Sequence, residues 1–366
     1  MTLAPAPKPL PAAAPLAARI DAELAGFVDR QRLRWRDEEM QPLLASLRRF
    51  ILTGGKRLRP ALCYWAWRGL APPGEHAEDR PAVTAGAALE MFHCFALIHD
   101  DIIDASCLRR GRPSLHEQFI ATHEHHGWRG TATAFGRNAA LLCGDLCAVW
   151  ADELLAECQA ETGRLARARR LFATMRGDAV AGEYLEIAGQ AMADFGPQAL
   201  QRAARVIELK TARYSVILPL QIGAALAGAT DAALEALAAF GRPLGEAFQL
   251  RDDVLGVFGD PAVSGKSVLD DLRQAKPTAL LAETHARADA SMRAVLSEHV
   301  GNPQLDEAGA ALVREVMAAS GALAMVEDRI RVAQAQAQRA LEMVDLTSEA
   351  RQRLQAIADF VAIRSV

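Results

Sequence analysis

From about Pro81 to Asp104 the chain runs almost without interruption through apolar residues and then ends on His99-Asp100-Asp101-Ile102-Ile103-Asp104. A proline at the first turn suits a helix start, and so apolar a helix belongs at the centre of a bundle. Its acidic end is the constraint. Three carboxylates lie against the negative pole of the helix dipole, where cations are favoured, so the fold must bring positive charge to them. Asp100 and Asp104 are four positions apart and project from one face at about 6 Å, a spacing at which two carboxylates can share hard divalent cations such as magnesium. A solvated acidic helix end is the bland reading of a bare Asp-x-x-x-Asp; the apolar helix before it and the basic run after it weigh against that.

The rest of the chain supplies helices to surround this one. From Leu16 onward Ala and Leu dominate, aromatic residues make up 5% of the chain and alternating β-branched runs are missing, which predicts an all-α fold. Turn signals at Ala71-Pro-Pro-Gly74, Gly127 to Gly130, Gly196-Pro197 and Gly301-Asn-Pro303 fall between periodic stretches, so one helical domain is expected over 16–366. Residues 1–15 are Pro- and Ala-rich without an apolar segment, which predicts a disordered tail rather than a leader peptide. With 41 Lys plus Arg against 45 Asp plus Glu, the chain has no basic field for nucleic acid, and any anion site must be local. The stretch Val216 to Ala229 is broken by Pro219 and Gln221, which argues against a membrane span. Cys63, Cys94, Cys107, Cys143, Cys147 and Cys158 sit in apolar, helix-like contexts with no CxxC pair, so a reduced cytoplasm is the expected compartment.

Basic clusters accompany the acidic end. Leu108-Arg109-Arg110-Gly111-Arg112-Pro113 follows it with guanidiniums suited to bidentate phosphate contact. A second acidic helix end, Phe248-Gln249-Leu250-Arg251-Asp252-Asp253, leads to Phe258-Gly259-Asp260 and Gly265-Lys266. Upstream, Gly54-Gly55-Lys56-Arg57-Leu58-Arg59-Pro60 sets Lys56 and Arg59 just after a glycine pair whose N–H groups can also meet a phosphate. Together these describe a pocket for two diphosphates and several magnesium ions above an apolar shaft that would suit a hydrocarbon tail.

The ordered set GGKRLRP, HDDIID, LRRGRP, KTARY, FQLRDD and GDPAVSGK resembles the trans-isoprenyl diphosphate synthases, and the likeness runs from about Asp21 to Arg364. It implies a large helical bundle, usually homodimeric, that condenses isopentenyl diphosphate head-to-tail with a dimethylallyl, geranyl or farnesyl diphosphate. By motif matching, Asp100, Asp104 and Asp252, with Asp101 and Asp253 beside them, resemble the ligands of three magnesium ions. Arg109, Lys210 and Lys266 match positions that grip the allylic diphosphate, and Lys276 is a further candidate substrate-binding residue. Lys56, Arg59, His93 and Arg110 match those that hold isopentenyl diphosphate, and Thr211 and Gln249 those whose oxygens lie near the developing allylic cation. No protein nucleophile is needed: charge stabilisation of the departing diphosphate and proximity of the acceptor double bond carry such a reaction.

Departures from that pattern fall at Gly256, where a third carboxylate is common, and at Gly182-Glu183-Tyr184-Leu185-Glu186, where Gln and Asp are more usual than Glu183 and Glu186. Metal binding at the second motif then leans on Asp252 and Asp253, with Asp260 as a further candidate. A class I terpene cyclase would share the bundle but lack Lys56 and Arg59, and a non-catalytic partner subunit would be expected to lose Asp or Lys positions. Glu90-x-x-His93 is formally a di-iron pattern, but no second copy exists. The cluster His123, Glu124, His125, His126 reads as a solvated loop, and Trp65 and Trp67 as core or subunit-contact residues.

Product length is read one turn below Asp100. Ala96 lies about 6 Å and Phe95 about 7.5 Å down the helix axis. Synthases that stop at fifteen carbons often carry an aromatic pair at these positions; here Phe95 is bulky and Ala96 is small. The expected product is geranylgeranyl diphosphate, with farnesyl diphosphate as the alternative.

Overall fold

The structure, a computed structural model, describes residues 14–260 and 268–363. Residues 1–13 and Lys266 lie outside the described residues, and the first described helix already includes Ala14 and Pro15. In chain order the elements are α1 (Ala14–Arg34), α2 (Gln41–Leu52), α3 (Leu58–Leu70) and α4 (Arg80–Ile103), then a hairpin of β1 (Leu108–Arg109) and β2 (Arg112–Pro113). Next come α5 (Leu115–His126), α6 (Ala132–Ala156), α7 (Thr162–Met192), α8 (Ala199–Val206), a π-helical stretch over Ile207–Ile217, α9 (Leu218–Leu226) and α10 (Asp231–Phe258). The chain ends with α11 (Asp270–Arg273), α12 (Ala279–Arg287), α13 (Ala290–His299), α14 (Glu307–Ala319), α15 (Ala322–Glu342) and α16 (Ser348–Ile363). The expected all-α fold is observed, and the four turn signals each fall between helices.

Helix α4 is the central element. Its residues from Ala82 to Phe92 are buried on every side, with α6, α3, α1 and α9 packed around it. Close approach depends on Gly86, where a Cβ would stand 2.8 Å from Ile20 Cδ1 and 3.2 Å from Pro60 Cβ. Although α4 is long and apolar enough to cross a membrane, 72% of its most apolar window is buried in the protein. Full burial of side chains such as Phe27 and Phe92 stabilises this arrangement by about 1.5–3 kcal/mol each.

Helix α10 passes through two hydrophobic cores. Leu237, Phe240 and Leu244 belong to the larger one around α4, whereas Ala247, Leu250, Val254 and Val257 pack with α12, α14 and α15 in a smaller one. Asp252 lies on the stretch of α10 that packs in the smaller core. Trp65 and Trp67 are core residues, 7% and 2% exposed. Two expectations are corrected. The histidine cluster is the last turn of α5, not a loop, and its His123 is buried with Nε2 3.1 Å from Arg129 O. Cys107 is exposed in the turn after α4, unlike the other five cysteines, which are buried thiols.

Candidate active site

The acidic end of α4 receives its positive charge from three directions. Arg109, on the hairpin just downstream, donates from Nε to Asp101 Oδ1 at 2.8 Å and from a terminal nitrogen to Asp100 Oδ2 at 3.0 Å. Lys276, in the turn after α11, places Nζ 2.6 Å from Asp104 Oδ2, and its neighbour Gln274 donates to the Asp104 carbonyl at 2.8 Å. Lys210 approaches Asp100 to 3.5 Å. The dipole argument is therefore met by side chains up to 172 positions away in sequence.

Both lysines stand among carboxylates. Lys210 Nζ is 2.8 Å from Glu183 and 2.9 Å from Glu186, and Lys276 Nζ is 3.6 Å from Asp271. Burial opposes their charge, but Glu186, Asp100 and Glu183 hold Lys210 well above its ordinary pKa, and Asp271 and Asp104 do the same for Lys276. Burial pushes Glu183 up from the usual carboxylate range, against the pull of Lys210.

On α10 both aspartates line the cavity with Asp100 and Asp104, but Asp253 is the more deeply buried. Asp253 is only 4% exposed and accepts hydrogen bonds from Gln249 Nε2 at 2.9 Å and from the Ala279 N–H at 3.0 Å. Burial pushes its carboxyl up to about 7. Asp101, at 1% exposure, is likewise engaged by Arg109. Asp101 and Asp253 are thus held by protein partners, as Asp100 is by Arg109 and Asp104 by Lys276, and of the two Asp253 also lines the cavity. Asp260 is exposed and outside the cavity lining. At Gly256 the missing carboxylate is replaced in space: a Cβ there would fall 2.1 Å from Asp271 Oδ2, so Asp271 fills that volume.

The basic end forms a second wall. Lys56, Arg59, His93 and Arg110 line the same cavity. Arg59 donates to Ser215 Oγ at 2.6 Å and its guanidinium lies 4.3 Å from the Tyr214 ring centroid. Tyr214 in turn meets His93 Nδ1 at 3.0 Å. Burial first, then Arg59 and Arg110, hold His93 well below its ordinary pKa, so the ring is neutral. Lys56 Nζ sits 4.9 Å from the Phe360 ring centroid on α16, which brings the end of the chain to the cavity wall.

Between the walls runs the π-helical stretch. Gly182 of α7 lets it close in, since a Cβ there would stand 2.7 Å from Lys210 N, and Gly245 of α10 does so from the other side, 2.3 Å from Ala212 Cα. The widened helix directs Lys210 toward α4 and Thr211 toward Gln249, whose Oε1 accepts its hydroxyl hydrogen bond.

The cavity enclosed is about 600 Å³. Asp100, Asp104, Asp252 and Asp271 offer it carboxylate oxygens, the donor type that suits magnesium. Among the described residues no three acidic, His or Cys side chains converge to hold an ion alone, so an ion here would share oxygens with a bound diphosphate. Glu90 is paired with Arg57 at 2.5 Å and does not join His93 as a metal ligand. Sequence reading missed Asp271, the Arg57–Glu90 pair and the lysine-holding role of Glu183 and Glu186. Tyr214 was within sight, four positions after Lys210 in KTARY.

The chain is similar to proteins of a known family. The family model described as polyprenyl synthetase matches residues 41–317. The (2E,6E)-farnesyl diphosphate synthase of Mycobacterium tuberculosis is 30% identical over 309 residues, 84% of this chain and 76% of that protein. The geranylfarnesyl diphosphate synthase of Aeropyrum pernix is 31% identical over 323 residues, 86% of this chain and 92% of that one. A solved geranylgeranyl pyrophosphate synthase from Corynebacterium glutamicum, complexed with isoprenyl diphosphate and magnesium, superposes with a TM-score of 0.90 at 34% identity, covering 95% of this chain and 98% of that one.

Proposed function

The chain belongs to the polyprenyl synthetase family and is a prenyltransferase, and from that premise we propose that it condenses isopentenyl diphosphate head-to-tail with an allylic diphosphate to give geranylgeranyl diphosphate. The observation that carries this reading is the meeting of two acidic helix ends and one basic wall in a single cavity. Lys56, Arg59 and Arg110 take the diphosphate of the acceptor, which does not react, while Lys210, Lys276 and Arg109 face the diphosphate that leaves. When the allylic C–O bond breaks, the electron pair goes to that diphosphate, and the lysines meet the charge as it develops. The acceptor double bond attacks the allylic carbon, and the released diphosphate takes the proton lost from the new chain. Thr211 and Gln249, fixed by their mutual hydrogen bond and by Asp253, present oxygen dipoles beside the cationic carbon. Asp100, Asp104 and Asp252 would hold magnesium, three ions in the family-based reading, with Asp271 beside them; bound there, magnesium supplies positive charge to the leaving group. Asp101 and Asp253 serve as supports.

The chain-length reading rests on Phe95 and Ala96. Phe95 packs between Phe92 and His99, at centroid distances of 5.0 and 4.5 Å, while the small Ala96 beside it packs against the same core. Five buried thiols support a reducing, cytoplasmic setting. The test is incubation of purified protein with isopentenyl diphosphate and each allylic primer, followed by chromatography of the dephosphorylated alcohols. The expected main product has twenty carbons, and Ala96→Phe should shorten it, because a close-packed interior has little room for a phenyl ring. A fifteen-carbon product unchanged by Phe95→Ala would overturn the length assignment; no condensation with any primer would overturn the reaction.

A further inference from the structure

The turn that carries Lys56 and Arg59 also carries Arg57, which forms a buried ion pair with Glu90 of α4. Arg57, between them, adopts a left-handed φ of 49°, which a bulky residue takes only when its surroundings impose it. Its guanidinium is 2% exposed and reaches three elements: α4 through Glu90 Oε1 at 2.5 Å, α1 through Asp21 Oδ1 at 2.6 Å, and α2 through the Ile51 carbonyl at 3.1 Å. Glu90 is the difficulty that this arrangement solves. Its side chain is also 2% exposed, it lines the cavity, and a Cβ on Gly55 would stand 3.5 Å from its Oε1 and 3.1 Å from a terminal nitrogen of Arg110. A bare carboxylate lies, without Arg57, directly beneath the loop that must hold a diphosphate, in an interior where repulsion is poorly screened.

We propose that Arg57 is a positioning residue of the acceptor site: by neutralising Glu90 and pinning the turn to α1, α2 and α4, it leaves Lys56, Arg59 and Arg110 a net positive field for the diphosphate of the acceptor. Asp21, 42% exposed, is the weaker partner, so the charge balance turns on Arg57 and Glu90. The inference rests on the acceptor reading of Lys56 and Arg59.

Steady-state kinetics of the full chain, with each substrate varied in turn, separate this role from a merely structural one. Both Arg57→Gln and Glu90→Gln break a buried pair and should lower the melting temperature. Their effects on the acceptor should nevertheless differ. Arg57→Gln exposes the Glu90 charge and should raise the KM for isopentenyl diphosphate by about tenfold or more, with kcat and the allylic KM within about threefold. Glu90→Gln keeps an amide oxygen for Arg57 and removes the repulsion, so that KM should stay level or fall. The double variant should return to within about threefold of the parent. If Glu90→Gln alone raises the acceptor KM about tenfold, or if Arg57→Gln leaves it unchanged, the proposal fails. Should Arg57→Gln not fold, the Glu90→Gln result still decides. Lys56→Ala, run alongside, tests the underlying assignment separately: an unchanged acceptor KM there would sink the acceptor site itself, whatever Arg57 does.

Discussion

At the scale of single residues the site is a balance of charges, and two predictions belong here. Asp104 accepts from Lys276 at 2.6 Å and lines the cavity, so Asp104→Ala should lower turnover by about 10²–10³, the usual loss when one oriented charge is removed from a transition state. The fold should survive, because Lys276, though it loses Asp104, keeps Asp271 at 3.6 Å as a partner; a circular-dichroism melt alongside the rate assay checks both parts. The second concerns His93, which burial and Arg59 hold neutral, well below its ordinary value of 6.5. Below that value the unfolded chain binds a proton that the folded ring refuses, so folding stability falls with pH by up to about 1.4 kcal/mol per unit. His93→Gln removes this contribution. Urea midpoints at about pH 7.5 and about pH 5.5 should therefore drop more for the parent than for the variant; equal drops would contradict a neutral His93.

Single elements decide where those charges point. The π-helical stretch is held between Gly182 and Gly245, and a methyl on Gly182 would meet the backbone of Lys210 at 2.7 to 3.0 Å. Gly182→Ala should push that backbone away and lower turnover by about 10²-fold, since misplacement by about 1 Å is enough for such a loss. Gly177, one and a half turns earlier on α7, has nothing within 4 Å of its would-be Cβ, and Gly177→Ala should keep parental turnover. A parental rate in Gly182→Ala would show that the stretch tolerates displacement. KTARY was legible as a motif, but no pattern in the sequence announces a π-helix, because its wide turns are stabilised by tertiary packing against two glycines rather than by local propensity.

For the whole molecule the informative surface is that of α6 and α7. Asp152 pairs with Arg176 across them, and on one side of that bridge Leu142, Val149, Val180 and Tyr184 are 57%, 62%, 54% and 69% exposed. Apolar side chains grouped this way suit a partner surface, and the proposal is that a second copy covers them. Sedimentation of the parent should give about twice 39.4 kDa, and Val149→Glu with Val180→Glu should give the monomer mass while the melting temperature of the isolated chain is kept. A monomeric parent would contradict the assembly.

The sequence by itself determined the helical class, the central place of α4, the two acidic ends and the basic wall, because helical period, dipole sign and charge are properties of neighbouring residues. It also brought Asp100, Asp104, Asp252, Lys56, Arg59, His93 and Lys210 to attention as one set. Only the tertiary structure showed which protein groups each carboxylate meets. Asp101 and Asp253 differ from Asp100 and Asp252 by one position, and it is the Arg109 guanidinium and the Ala279 N–H, arriving from other elements, that claim them. Likewise Gly256 reads as a loss until Asp271 is seen to occupy its space, and Arg57 reads as one more cation until Glu90 is found beneath it. These are contacts between segments distant in the chain, and no local pattern encodes a partner that only packing brings within hydrogen-bond reach.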